Sequence, residues 1–129
     1  MRRITIISIR EPTTKDVNRE LQWLGSSLGL FNLRDKDKSC FRIFIELLKS
    51  TKKQKSMSSD ELAGTLQLTR GTVVHHLHKL EESGLIIYED RRYILRVNNL
   101  TALVDELEQD LQKACNQLRR VADNIDKKL

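Results

Sequence analysis

Within one stretch of ten residues stand Arg70, Thr72, Val74, His75, His78 and Lys79. Arginine offers a planar fork of donors, threonine and histidine offer single donors, lysine a compact positive charge, and valine a methyl surface. That set suits recognition of an acceptor-rich anionic polymer, whose phosphates take the charges and whose base edges take the directed bonds. Arg91 and Arg92 form a second basic pair, and Lys52, Lys53 and Lys55 a third basic group. Covalent chemistry has no comparable support. The sequence holds no glycine-rich phosphate loop, nucleophile motif or HExxH, and its carboxylates are scattered over helix surfaces, so no enzyme is expected.

The three histidines His75, His76 and His78 raise two other chemistries. His75 and His78 lie one helical turn apart, a spacing that can hold zinc, but Glu81 and Glu82 are the only close carboxylates and no cysteine is near. No metal and no cofactor is expected. Histidine also titrates near neutrality, so the cluster is a candidate proton switch that strengthens phosphate binding in acid.

These residues need a scaffold, and the surrounding sequence spells one. Ser58-Ser59-Asp60-Glu61 fits a capping box that starts a short helix with Leu62, Ala63, Leu66 and Leu68 on its apolar side. Thr69 caps a second helix, in which Val73, Leu77 and Leu80 share one face and leave Arg70, Val74, His75, His78 and Lys79 on the other or at its edges. Ser83-Gly84 stops that helix. Leu85 to Tyr88 and Arg92 to Arg96 then read as two short strands, with Glu89 to Arg91 as the turn.

The string SSDELAGTLQLTRGTVVHHLHKLEESGLIIYEDRRYILR resembles the DNA-binding segment of prokaryotic winged helix-turn-helix regulators of the ArsR and MarR kind. The resemblance implies a recognition helix, about residues 70–83, lying in the major groove, and a wing, about residues 85–96, whose Arg91 and Arg92 reach the minor groove or the backbone. Arg70 then reaches guanine or phosphate, Thr72 and His75 donate to base edges or phosphates, Val74 touches a thymine methyl, and Lys79 holds a phosphate.

Elements on either side complete the plan. Residues 1–12 read as a strand or arm, from the β-branched run RITIISI. Thr13 or Thr14 caps a first helix with Val17, Leu21, Leu24 and Leu28 as a narrow apolar stripe, and Gly29 ends it. After a charged connection from Asn32 to Lys38 comes the most apolar helix, through Phe41, Ile43, Phe44, Ile45, Leu47 and Leu48, with Cys40 as core packing. Ser50 to Ser58 reads as a loop with a brief strand near Met57. From the cap Asn99, the residues Leu100, Val104, Leu107, Leu111, Ala114, Leu118, Val121 and Ile125 alternate by four and three, which is a coiled-coil seam. The expected class is mainly α with a small β-hairpin: a winged helix-turn-helix over residues 13–97 and a dimerisation helix over residues 98–129. The first helix is expected to join the dimer interface.

Composition agrees and adds one tension. The 129 residues carry a net charge of +5, which favours an anionic partner. Residues 1–56 hold 13 Lys and Arg against 6 Asp and Glu, whereas residues 57–97 hold 5 against 6. The lysine loop, together with Arg2 and Arg3, is therefore expected to lie beside the DNA face. No run is long and apolar enough to span a bilayer or act as a signal peptide, and the two cysteines are far apart, so a cytoplasmic location is expected. The implied function is a sequence-specific regulator that binds double-stranded DNA as a homodimer, a repressor. The alternative is a winged-helix interaction module of a larger assembly, and the sequence points to no effector.

Overall fold

The computed structural model describes residues 2–32, 34–35 and 37–129; Leu33 and Lys36, in the charged connection, lie outside them. Five helices and one hairpin follow in the order α1 (Val17–Ser27), α2 (Ser39–Lys52), α3 (Ser59–Leu66), α4 (Arg70–Glu82), β1 (Ile86–Glu89), β2 (Arg92–Leu95) and α5 (Leu100–Lys128). This is a winged helix-turn-helix followed by a long C-terminal helix.

The three central helices form because their caps and apolar spacings agree. Ser58 Oγ accepts from the Glu61 N–H at 3.1 Å, and Thr69 Oγ1 accepts from the Thr72 N–H at 3.2 Å. Ile43, Phe44 and Leu47 of α2, Leu62 of α3, and Val73 and Leu77 of α4 are fully buried against one another. The Arg42 guanidinium donates to the Leu66 carbonyl at 2.7 Å, which ties the end of α3 to α2. The strands pair antiparallel, with Ile86 opposite Leu95 and Tyr88 opposite Tyr93. The expected strand near Met57 is a single bridge to Tyr93, and it fastens the hairpin to the segment before α3.

Several boundaries differ from the sequence reading. Asp16, rather than Thr13 or Thr14, caps α1, its carboxylate accepting from the Asn18 N–H. Helix α2 continues through Lys52, so the loop is shorter than Ser50 to Ser58. Residues 3–9 form no strand. They run as an extended arm, with the Arg3 N–H bonded to the Glu82 carbonyl and the Ile7 N–H to the Ser27 carbonyl. Two isolated bonds to helix ends cannot propagate a ladder, so β-branched composition alone does not make a sheet here. Gly84, at φ +75°, turns the chain out of α4, and the Arg2 guanidinium lies 3.0 Å from where a Cβ would stand.

Helix α5 is divided between two environments. Leu103 and Leu107 are buried in the domain core, and Arg96 pairs with Glu106 and Asp110. Asp110 also accepts from Arg2 at 2.7 Å, and the guanidinium bonds from Arg96 and Arg2 hold its carboxyl down at about 2. From Asn116 onward every residue of α5 is exposed. No helix of the described residues is long and apolar enough to cross a membrane.

Candidate nucleic-acid interface

Helix α4 is held by its apolar face and shows the rest of itself to solvent. Val73, Leu77 and Leu80 are at most 1% exposed, while Arg70, Gly71, His75, His78 and Lys79 are exposed and Thr72 and Val74 are half-buried. The core thus orients Arg70, Thr72, His75, His78 and Lys79 on one element, as the spacing predicts. Arg70 stands at the first position of the helix, 3.5 Å from Asp60 in a pair whose side chains are both largely exposed. Such a solvated pair is weak and separates readily in favour of a better anion. A groove beside α4, lined by Thr72, His75, His76 and Lys79, also takes Asn32, Arg34, Asp35 and Asp37 from the α1–α2 connection, so its charge is mixed. Sequence reading misses Arg34, because only the tertiary fold brings that aperiodic connection alongside α4.

The wing ends in a two-residue turn. Asp90 and Arg91 have φ of 54° and 62°, the left-handed pair of a type I′ hairpin turn. Neither is glycine, so the turn carries backbone strain, and it holds the exposed Arg91 at the tip. Its neighbour has a different situation. Arg92 grips Glu61 through both terminal nitrogens, at 2.7 and 3.0 Å, and also donates to the Ser56 hydroxyl and carbonyl. The Glu61 carboxylate, expected to complete a capping box, is therefore engaged chiefly by Arg92, which holds it below the usual carboxylate range. Arg92 fixes the wing to the start of α3, and Arg91 is the free charge of the pair.

The remaining basic groups separate. Lys53 and Lys55 line a groove with Lys49, Arg92 and Glu61, flanking the wing, and Lys52 sits in the last turn of α2. Arg2 and Arg3 are elsewhere. Their contacts with Asp110 and with the last residue of α4 place them at the end of that helix opposite Arg70, about 18 Å along its axis at 1.5 Å per residue. The expectation that the arm lies beside the DNA face is corrected on this point, because the arm is tied down by bonds to α4 and α5.

The three histidines also part company. His75 and His78 are exposed, but His76 is 8% exposed, its Nε2 3.7 Å from an oxygen of Asp35 and its Nδ1 without a hydrogen-bond partner among the described residues. Asp35 accepts from the N–H groups of Ser39 and Cys40, both at 3.0 Å, and so caps α2. Burial pushes the His76 pKa down, and the charges of His75 and Lys79 add to that, against the opposing pull of Asp35. The signal for His76 as a core residue is local: Val73, His76, Leu77 and Leu80 have the i, i+3, i+4, i+7 spacing of a helix face. Among the described residues no group of three or more His, Cys, Asp or Glu is placed to hold a metal ion.

Residues 37–89 match a family described as a helix-turn-helix domain. The matched segment runs from just before α2 to the end of the first wing strand, so it contains both helices of the motif and the whole of α4. Comparison with curated proteins gave no match, and neither did comparison with solved structures. That segment is thus similar to a helix-turn-helix domain, a class of scaffold whose second helix commonly enters the major groove of duplex DNA.

Proposed function

We propose that this protein is a sequence-specific, double-stranded DNA-binding transcriptional regulator of the winged-helix type, similar to the ArsR and MarR kind, that acts in the cytoplasm as a homodimer. The observation that carries the proposal is α4 itself: an apolar face sealed into the core behind an exposed side that carries Arg70, His75, His78 and Lys79, with Thr72 half-buried at its edge. An α-helix of this kind fits the major groove, where Arg70 reads guanine or phosphate, His75 and Thr72 donate to base edges, and Val74 meets a thymine methyl. Arg91 serves as the wing contact, Arg34, Lys53 and Lys55 add backbone contacts, and Arg92 keeps the wing in position. Lys52 and His78 complete the basic rim. The seam of α5 pairs two copies, so the preferred site is pseudo-palindromic. A dimer seated across such a site blocks access for other proteins, which makes repression the expected effect.

The test is selection of bound sequences from a random duplex pool with the purified full chain, followed by affinity measurement across a salt series. An enriched two-fold motif, with log affinity falling linearly in log salt, supports the proposal. An empty selection would favour the interaction module. The near-neutral charge of residues 57–97, with Arg92 already paired to Glu61, is the observation behind that second reading.

A further inference from the structure

Helix α5 leaves an apolar stripe in water. Val104, Leu111, Leu118, Val121 and Ile125 are between 40% and 68% exposed, far more than a folded chain leaves on one helix face without a partner. At its N-terminal end the stripe runs into a groove of about 570 Å³ between α1 and α5, whose apolar lining includes Val17, Leu21, Leu24, Leu100 and Val104. Stripe and groove are therefore one continuous surface.

Charge along α5 is polarised. Its first half carries Asp105, Glu106, Glu108 and Asp110 with no Lys or Arg, and its second half carries Lys113, Arg119, Arg120, Lys127 and Lys128 against Asp123 and Asp126. Glu106 and Asp110 are paired with Arg96 inside the domain, so Asp105 and Glu108 are the acidic groups left for a partner. Two such helices laid parallel set acidic half against acidic half. Laid antiparallel, they set acidic against basic.

We infer that α5 pairs antiparallel with α5 of a second copy, and that the free distal half of each helix seats in the α1–α5 groove of the other. The inference rests on the homodimer reading above and specifies its geometry. With the two-fold axis between Gln112 and Lys113, Leu100 faces Ile125 of the partner subunit, Val104 faces the partner's Val121, and Leu111 faces the partner's Ala114. Each of these pairs then joins an a to a d position, and Glu108, at an e position, lies on the same side of the pair as the partner's Arg119. The overlap, Leu100 to Ile125, covers about 39 Å at 1.5 Å per residue. Leu107 is already committed to its own core at 4% exposure, so the incoming helix lies toward Val104 and Leu111, on the side where α1 stands. That displacement is why the groove, and not a bare helix face, receives it.

Disulfide mapping tests the arrangement in the full chain, with Cys115→Ser as background. Val104→Cys and Val121→Cys versions, carrying tags of different mass, are co-expressed and oxidised. The expected result is a mixed cross-link, joining position 104 of one copy to position 121 of the other, at least tenfold more abundant than the homodimer linked through position 104 alone. A dominant homodimer linked through position 104 would establish the parallel arrangement and overturn the inference. Sedimentation separates the remaining cases. A dimer with neither cross-link overturns the inference while leaving the homodimer reading intact, whereas a monomer at micromolar concentration overturns both. A monomer whose Trp23 emission shifts on addition of an apolar dye assigns the groove to a small ligand and likewise overturns it. A charge swap supplies the second measurement: Arg119→Glu should weaken the dimer at least twofold, and adding Glu108→Lys should restore it. Absence of that rescue counts against the antiparallel register.

Discussion

Helices α4 and α5 each have a buried and an exposed face, yet they expose opposite chemistry. Outside its core contacts α4 shows Arg70, His75, His78 and Lys79, groups whose hydrogen bonds water satisfies until a better acceptor arrives. Helix α5 shows Leu111, Leu118, Val121 and Ile125, groups that gain nothing from water. The difference teaches what kind of partner each face suits. A polar, basic face held rigidly by a core gives directional, salt-sensitive recognition of a polyanion. An apolar face on a helix that has outrun its own domain gives association driven by burial.

The sharpest way to break this comparison is to attack the core beneath α4. Leu77→Ala removes a side chain with no exposed surface and should cost about 2–5 kcal/mol of stability, seen as a large drop in the urea midpoint. Leu118→Asp with Val121→Asp should instead leave a folded domain by circular dichroism and weaken the dimer at least 100-fold in sedimentation. If that pair unfolded the chain, the distal half of α5 would belong to the domain core and the contrast would fail. Arg70→Ala comes next. It should weaken specific DNA binding by about 1–3 kcal/mol, relax preference at one base position and leave the melting temperature unchanged, because the Asp60 pair is solvated.

Arg91→Gly sharpens the comparison at the wing, where strain and function are joined. Glycine adopts the left-handed φ of 62° without the side-chain penalty, so stability should rise by up to about 1 kcal/mol while DNA affinity falls. A variant that gained stability at undiminished affinity would remove Arg91 from the interface. Glu61→Gln gives the complementary result, since it loosens Arg92 and the wing without touching a proposed DNA contact.

How much of this is legible in sequence follows from where the information lies. Caps at Ser58, Thr69 and Asn99, the helix stop at Gly84 and the helical run of α5 are local, because a cap bonds within three residues and a helix face repeats every three or four. Long-range pairings are not legible. Nothing near Arg92 in sequence announces Glu61 and Ser56, and nothing near Arg2 announces Asp110. In both cases a residue that reads as free charge has an intramolecular carboxylate. The arm departs from expectation for a related reason: strand composition is present, but a sheet edge to receive it is not. Leu103 escapes the heptad pattern because that pattern weighs only the seam, whereas the domain takes a neighbouring face of the same helix.

His76 gives the smallest effect and the most direct sign. Burial holds its pKa below 6.5, so between that depressed value and 6.5 the unfolded chain binds more protons than the folded one. Stability from this group is therefore complete above about pH 6.5 and declines as the pH falls, with a slope that one proton limits to about 1.4 kcal/mol per pH unit. Asp35 acts in a different window. Burial alone would raise its pKa, but the N–H groups of Cys40 and Ser39 outweigh burial and lower it, so its contribution is present above pH 3.8 and is lost only in stronger acid. Urea titrations between pH 5 and 7.5 should show the decline in the parent chain and a flatter profile in His76→Leu. His75→Ala should leave most of the slope in place, since the charge of His75 is a smaller cause of the His76 shift than burial. An unchanged profile in His76→Leu would show that the decline does not arise from the burial of His76.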